Sequence, residues 1–345
     1  MVRVGVVGAT GYAGAELVRL LAGHPDVELT IITSRQYAGT RLDKIYPAFS
    51  GAVDLVCEPY SEEKISELAD VVFTALPHQL PMELIPGLIR RKKRVIDLSA
   101  DFRFRDPSTY EAFYQPHIAK ELLEQAVYGL SEAYTEEIRG ADLIGNPGCY
   151  PTSVLLPLVP LIRKRMIELD GIIADSKSGV SGAGRSLSIS SHFCSVNDSF
   201  KAYKVGAHRH TPEMQEILGR EAGRPVPLCF VPHLVPMTRG MLTTLYLRPA
   251  GAVSAGDMRS CIGEAYAGRR FVRLCSDDLM PDTLNVRGTN ICEIGVRKDK
   301  RSERIVLVSV IDNLVKGAAG QAVQNMNIML GLNEARGLDA VPFPL

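Results

Sequence analysis

No two cysteines in this 345-residue chain are spaced as CxxC, and the seven present, at 57, 149, 194, 229, 261, 275 and 292, form an odd and scattered set. That pattern gives neither a zinc site nor a disulfide framework, so no metal and a reducing compartment are expected. Charge of one sign is lacking too. Lys+Arg and Asp+Glu are both 39, so no whole-protein field draws the chain to nucleic acid or to an anionic membrane, and any anion site must be local. No apolar run reaches membrane-spanning length. Residues 1–7 run straight into a glycine-rich turn, which leaves no room for a signal peptide and gives a cytoplasmic expectation. Long polar tracts, internal repeats and low-complexity stretches are absent, and 46% hydrophobic with 23% charged residues fits a folded chain long enough for two domains.

What is present is an α/β pattern. Residues 4–7, 28–33, 70–74 and 94–98 read as short apolar strands, with helical stretches near 14–22 and 81–91 between them. Such alternation predicts a Rossmann-type, doubly wound parallel sheet. Beyond about residue 150 the strands lengthen (171–175, 227–231, 241–247, 291–296, 304–310), which predicts an α+β domain built on a mixed sheet. Leu314, Ala318, Ala322, Met326 and Met329 recur at helical spacing, predicting a long helix over 313–332 that covers another surface.

Gly8-Ala9-Thr10-Gly11-Tyr12-Ala13-Gly14 follows the first strand and opens the first helix. In that context glycines let the backbone approach a pyrophosphate held at a helix N-terminus, although the spacing is GxxGxxG rather than GxGxxG. Thr10, Gly11, Tyr12, Ala13 and Gly14 are therefore cofactor candidates. A carboxylate ending the second strand would favour NAD, but that strand ends Thr33-Ser34-Arg35. A hydroxyl and a guanidinium suit the 2′-phosphate of NADP(H).

Cys149 stands apart from the other six cysteines. Gly145-Asn146-Pro147-Gly148 shapes a turn ahead of it, and the apolar stretch 154–162 reads as a helix starting there. Orphan N–H groups and the positive dipole end at such a helix mouth favour thiolate, the form a nucleophile needs. Farther along, Ala207-His208-Arg209-His210-Thr211-Pro212-Glu213 predicts a helix over 212–221 with Thr211 as N-cap and Pro212 at its first position. His210 would sit just outside that helix, where the dipole disfavours imidazolium and leaves the ring able to accept a proton. His208 would share its face if the segment is extended.

These stretches together resemble the N-acetyl-gamma-glutamyl-phosphate reductase family, within the wider group that includes aspartate-semialdehyde dehydrogenases. The resemblance is carried by Gly8–Gly14 with Ser34-Arg35, by Leu98–Arg103, by Gly145–Thr152 and by His208–Glu213, and is supported by Ser178–Arg185 and Asp312–Ala322. It implies reduction of N-acetyl-glutamyl 5-phosphate by NADPH to the 5-semialdehyde plus phosphate, the third step of arginine biosynthesis. It implies Cys149 as nucleophile, through a thioester, and His210 as its base. Ser99, Gly179 and Asn313 would border the cofactor; Arg103, Arg185 and His208 are candidates for the substrate, with the pairing of arginine to anion left open. It also implies an NADP-binding domain of 1–148 with 313–345, a catalytic and oligomerisation domain of 149–312, and a homodimer or homotetramer. Ala207 departs from the family's usual Gly-His-Arg-His, which touches the local turn alone. Two other readings stay open: a related reductase acting on aspartyl phosphate or carrier-bound aminoadipyl phosphate, and a non-catalytic NADP-binding redox sensor in which Cys149 reports oxidation.

Overall fold

The computed structural model describes residues 1–343. They divide into two compact units, one of residues 1–148 and 318–339, the other of residues 149–317 and 340–343.

The first unit is a seven-stranded sheet of β1 (Val2–Val7), β2 (Val27–Thr33), β3 (Cys57–Glu58), β4 (Val71–Thr74), β5 (Arg94–Asp97), β6 (Val127–Tyr128) and β7 (Leu143–Gly145). Their spatial order is β3-β2-β1-β4-β5-β7-β6, with every pairing parallel. Helices cover both faces of such a sheet, which is why Val4, Val6, Val71, Val72, Phe73, Val95 and Ile96 are all wholly buried with no alternation. The order reverses between β1 and β4, and in open parallel sheets that switch point is where a ligand sits, at the carboxyl ends of the strands.

The second unit carries β8 (Ile172–Ser178), β9 (Lys201–Ala202), β10 (Leu228–Leu234), β11 (Met241–Leu247), β12 (Val272–Leu274), β13 (Cys292–Lys298) and β14 (Ile305–Ile311) in the order β12-β13-β14-β11-β8-β10-β9. Two pairings, β8 with β10 and β12 with β13, are parallel and the others antiparallel, so the sheet is mixed. Burial alternates along β8 and β11, and the helices Cys149–Arg163, His210–Ala222 and Ala255–Ala265 pack on strands of this sheet. The helix Cys149–Arg163 is buried from Tyr150 to Ile162 in spite of an internal Pro160. Proline there frees the Leu156 carbonyl, and the Tyr266 hydroxyl donates to it at 2.7 Å.

The segment expected as one helix over 313–332 is three pieces. The Asp312 carboxylate accepts the backbone N–H groups of Leu314 and Val315, a π-helical turn spans Val315–Ala319, and the α-helix is Gly320–Met329. All ten residues of that helix are buried, so it is a core element rather than an amphipathic cover. Its polar residues are held by partners from its own unit, Asn325 by Gly129 and Ser131 and Asn327 by His24. Residues 313–317 fall in the second unit, not with the first as the sequence suggested, because Asn313 is bonded to Gly240 and Ser181 there. Residues 340–343 also group with the second unit.

Candidate active site

At the switch point of the first sheet the glycines are set by backbone contact. Gly8 has φ +93, and a Cβ on it would lie 2.4 Å from the Ala75 carbonyl oxygen; a Cβ on Gly14 would lie 2.1 Å from the Gly8 carbonyl oxygen. Side chains are excluded at both, so strand, turn and helix meet backbone to backbone, the geometry that lets a backbone approach a pyrophosphate at a helix N-terminus. Gly11 differs, with only ordinary contact for a Cβ at 3.8 Å. Beside the turn, the Thr10 and Ser34 hydroxyls share a hydrogen bond of 2.8 Å and Tyr46 donates to the Thr10 carbonyl at 2.9 Å. Arg35 follows Ser34 and is exposed. The cradle, hydroxyls and guanidinium fit a dinucleotide carrying a 2′-phosphate. Ser99 is buried, and its hydroxyl donates to Asp97 at 2.5 Å while accepting the Asp101 N–H at 3.0 Å. Burial, with Asp101 nearby, holds the Asp97 carboxyl well above the usual carboxylate range.

The turn that precedes Cys149 is locked from several directions within the first unit. A Cβ on Gly145 would lie 2.1 Å from the Phe102 carbonyl oxygen. The Asn146 amide donates to the Ala318 carbonyl and its oxygen accepts from Asn325 at 3.0 Å. Arg103, 7% exposed, donates from Nε to the Asn146 carbonyl at 2.6 Å and from Nη2 to the Leu98 carbonyl at 2.7 Å.

In the second unit Cys149 is the first residue of its helix and half-buried; none of the seven cysteines is in a disulfide. Gly317 backs it so closely that a Cβ there would stand 2.8 Å from the cysteine Cβ. Next along, Tyr150 is the centre of an aromatic cluster: its ring meets His208 at 5.3 Å, His210 at 5.9 Å and Phe230 at 5.1 Å, all edge to face, and the two histidines are 5.0 Å apart. The Tyr150 and Tyr203 hydroxyls are 3.0 Å apart, and Tyr150 also donates to the His233 carbonyl. Burial, together with Tyr203 and Cys149, pushes the Tyr150 phenol up, and burial pushes Tyr203 up to about 12. Both stay protonated at neutral pH.

The helix that carries His210 begins earlier than the sequence predicts. It spans His210–Ala222 with Arg209 at its cap and no side-chain capping bond, so Thr211 is not the N-cap and Pro212 is third rather than first. Proline is tolerated there because the first-turn N–H groups have no intrahelical partner. His210 therefore lies inside the first turn, and its N–H donates to His208 Nδ1 at 3.1 Å. An accepting Nδ1 means His208 is neutral with its proton on Nε2. Burial, then Lys204 and Arg209, lowers its pKa to about 4. Gly179 and Asn313, expected beside the cofactor, occupy one corner of this unit. A Cβ on Gly179 would lie 2.9 Å from the Met237 and Thr238 carbonyl oxygens, and Asn313 accepts the Gly240 N–H at 2.8 Å while donating to Ser181. Arg185 is half-buried in a segment, 182–195, that is otherwise mostly exposed.

Tyr150, Tyr203, Asp312 and Gly317 were not singled out by the sequence. Tyr150 and Gly317 lie within stretches that carried the resemblance, but nothing in the sequence distinguishes Tyr203. Among the described residues no group of three or more His, Cys, Asp and Glu side chains could hold a metal ion, and no helix is long and apolar enough to cross a membrane.

Residues 3–141 match the model of the semialdehyde dehydrogenase NAD binding domain and residues 149–313 that of the semialdehyde dehydrogenase dimerisation domain. An N-acetyl-gamma-glutamyl-phosphate reductase of Desulforapulum autotrophicum is 56% identical over 342 residues, 99% of each chain. The chain belongs to the N-acetyl-gamma-glutamyl-phosphate reductase family. A second member, from Syntrophobacter fumaroxidans, is 54% identical over 343 residues, again 99% of each chain. The family's architecture extends to distant structures: aspartate semialdehyde dehydrogenase II of Vibrio cholerae superimposes with a TM-score of 0.75 at 16% identity, covering 96% of this chain and 99% of that one. Aspartate semialdehyde dehydrogenase of Candida albicans, solved with NADP, gives 0.67 at 19% identity, covering 95% and 98%. As a member of the reductase family the chain is an oxidoreductase, and its parallel sheet and mixed sheet are the two domains of semialdehyde dehydrogenases.

Proposed function

We propose that this enzyme reduces N-acetyl-L-glutamyl 5-phosphate to N-acetyl-L-glutamate 5-semialdehyde with NADPH, releasing phosphate, in arginine biosynthesis in the cytoplasm. The observation that carries the reading is Cys149 at a helix mouth, backed by Gly317 and flanked by the Tyr150–His208–His210 cluster, in a chain at least half identical to named reductases.

In this reading the Cys149 sulfur attacks the acyl carbon, the bond from that carbon to the phosphate oxygen breaks, and a thioester forms. NADPH, when bound, supplies the hydride that converts the thioester to a thiohemiacetal. His210 takes the thiol proton before attack, delivers a proton to the thiohemiacetal oxygen, and removes it again as the carbon–sulfur bond breaks to give aldehyde and thiolate. His208 holds the His210 backbone and offers Nε2–H to the substrate. Arg103 fits a positioning role for the Asn146–Gly148 turn, since its Nε and Nη2 serve backbone carbonyls; Arg185 keeps the assignment to a substrate anion. Thr10 to Gly14, with Ser34 and Arg35, hold the pyrophosphate and 2′-phosphate, and Ser99, Gly179 and Asn313 border the nicotinamide end.

We assign a homodimer to the face of the mixed sheet where half-buried Ile173, Val231, Leu242, Tyr246, Val306 and Val308 line up. Sedimentation at micromolar concentration gives a dimer mass or larger, and a monomer would remove that assignment. For the reaction, the assay is phosphate-dependent reduction of NADP by N-acetylglutamate 5-semialdehyde. Turnover with that aldehyde is expected; turnover with aspartate semialdehyde in its place would refute the substrate.

A further inference from the structure

A cavity of about 570 Å³ in the second unit lies away from the residues described above. Arg248, Lys298 and Arg304 line it together with Glu303, Gly251 and Ser254. It is formed where β11 ends and the β13–β14 hairpin turns, since Leu247 pairs with Ile305 and Lys298 also pairs with Ile305. The corner holding Gly179, Gly240 and Asn313 is at the opposite end of the same strands, where Met241 pairs with Ile311. Seven-residue strands put about 20 Å between the two ends.

The charges at this cavity do not cancel. Lys298 is ion-paired with Glu303, which leaves Arg248 and Arg304, neither with an ion pair among the described residues. Nη1 of Arg304 is buried and has no hydrogen-bond partner. Buried polar atoms are nearly always satisfied, so the Arg304 guanidinium is short of one acceptor. Two neighbouring acceptor groups are already engaged: the Ser254 hydroxyl and the Asp257 carboxylate are closed on one another in a capping box, and the Asp299 carboxylate accepts from Arg301 N–H and the Ser302 hydroxyl.

We propose that this cavity is a second anion site that takes the phosphate group of a small molecule. Two guanidinium forks present paired N–H donors to tetrahedral oxygens. A phosphate monoester carries between one and two negative charges at neutral pH, matching the two uncancelled cations. The volume lies in the range of small-molecule sites, so the phosphate enters with room for the group that bears it. The site is independent of the reaction assigned to Cys149.

Calorimetric titration of inorganic phosphate into the full-length protein tests the proposal. The wild type is expected to bind one more equivalent per chain than the double variant R248Q/R304Q, because any phosphate at the catalytic site is common to both. The extra equivalent is expected to weaken with added sodium chloride. Equal stoichiometry in the two proteins would overturn the site. Should the double variant not fold, R304K keeps the charge and loses the fork, and about tenfold weaker binding of the extra equivalent is expected; unchanged affinity would overturn it. Titration of citrate is the other arm: displacement of the extra phosphate by equimolar citrate would overturn phosphate as the ligand class, and its failure to displace supports it.

Discussion

The nucleotide end of the first unit and the Cys149 cluster of the second are built on opposite principles. The first is local and made of backbone: seven consecutive residues, Gly8 to Gly14, close a strand-to-helix turn, and the next strand end adds Ser34 and Arg35. The second is assembled from Cys149, Tyr150, Tyr203, His208, His210, Phe230 and Gly317, positions scattered through more than a hundred residues, and made almost wholly of side chains. A backbone site fails when a side chain is added, whereas a side-chain site fails when one is taken away.

The sharpest break in that comparison is Cys149→Ala. Loss of the nucleophile is expected to lower kcat by roughly 10⁴-fold or more, while NADPH binding measured by fluorescence stays at the wild-type affinity; retained turnover would end the thioester mechanism. Gly14→Ala attacks the other site by addition. Its Cβ would collide with the Gly8 carbonyl at 2.1 Å, so chemical denaturation should show a loss of about 3 kcal/mol and a raised KM for NADPH. Gly11→Ala, with 3.8 Å of room, should move neither quantity measurably. If both glycines behave alike, the backbone account of the turn is wrong.

Acid probes the side-chain site. His208 titrates near 4 in the folded protein against 6.5 ordinarily. Below 6.5 the unfolded chain binds a proton that the folded chain refuses, so stability falls as pH drops from 6.5 toward 4 and is unaffected above 6.5. At about 1.4 kcal/mol per pH unit the ceiling is about 3 kcal/mol, less whatever solvent recovers. Urea melts of His208→Phe across that window should show a shallower slope than the wild type; parallel slopes would mean that His208 is not the group. Arg35→Ala is expected to give a smaller but measurable effect, about a tenfold rise in KM for NADPH with that for NADH unchanged. Equal change in both would remove the 2′-phosphate assignment.

The two sites differed equally in legibility. The glycine turn, Ser34-Arg35 and the parallel sheet could be read because each is a run of neighbours whose chemistry is fixed by backbone geometry and strand period. Cys149 was legible among seven cysteines because Pro147 and Gly148 announce a turn and the residues after 153 announce a helix. His208 and His210 were legible as a pair, but their division of labour was not. The helix starts at His210 and not at Pro212, and that shift turns His208 into the acceptor of the His210 N–H. Arg103 was legible as a cation but not by its partners, since a guanidinium expected to meet an anion has two of its donors on backbone carbonyls. The helix expected over 313–332 was overextended because its periodicity carried no sign that Asp312 and Asn313 would be captured by Gly288, Gly240 and Ser181.

The sequence by itself determined the fold class and the family and marked Cys149 as the candidate nucleophile, because those follow from local backbone preference and from short runs with distinctive chemistry. Only the tertiary structure decided which tyrosines and which glycine surround that cysteine, which histidine is neutral, and that Arg248 and Arg304 meet at one cavity. Those depend on contacts between residues far apart in the chain, and burial, which sets their protonation and their need for partners, exists only once the sheets and helices have packed.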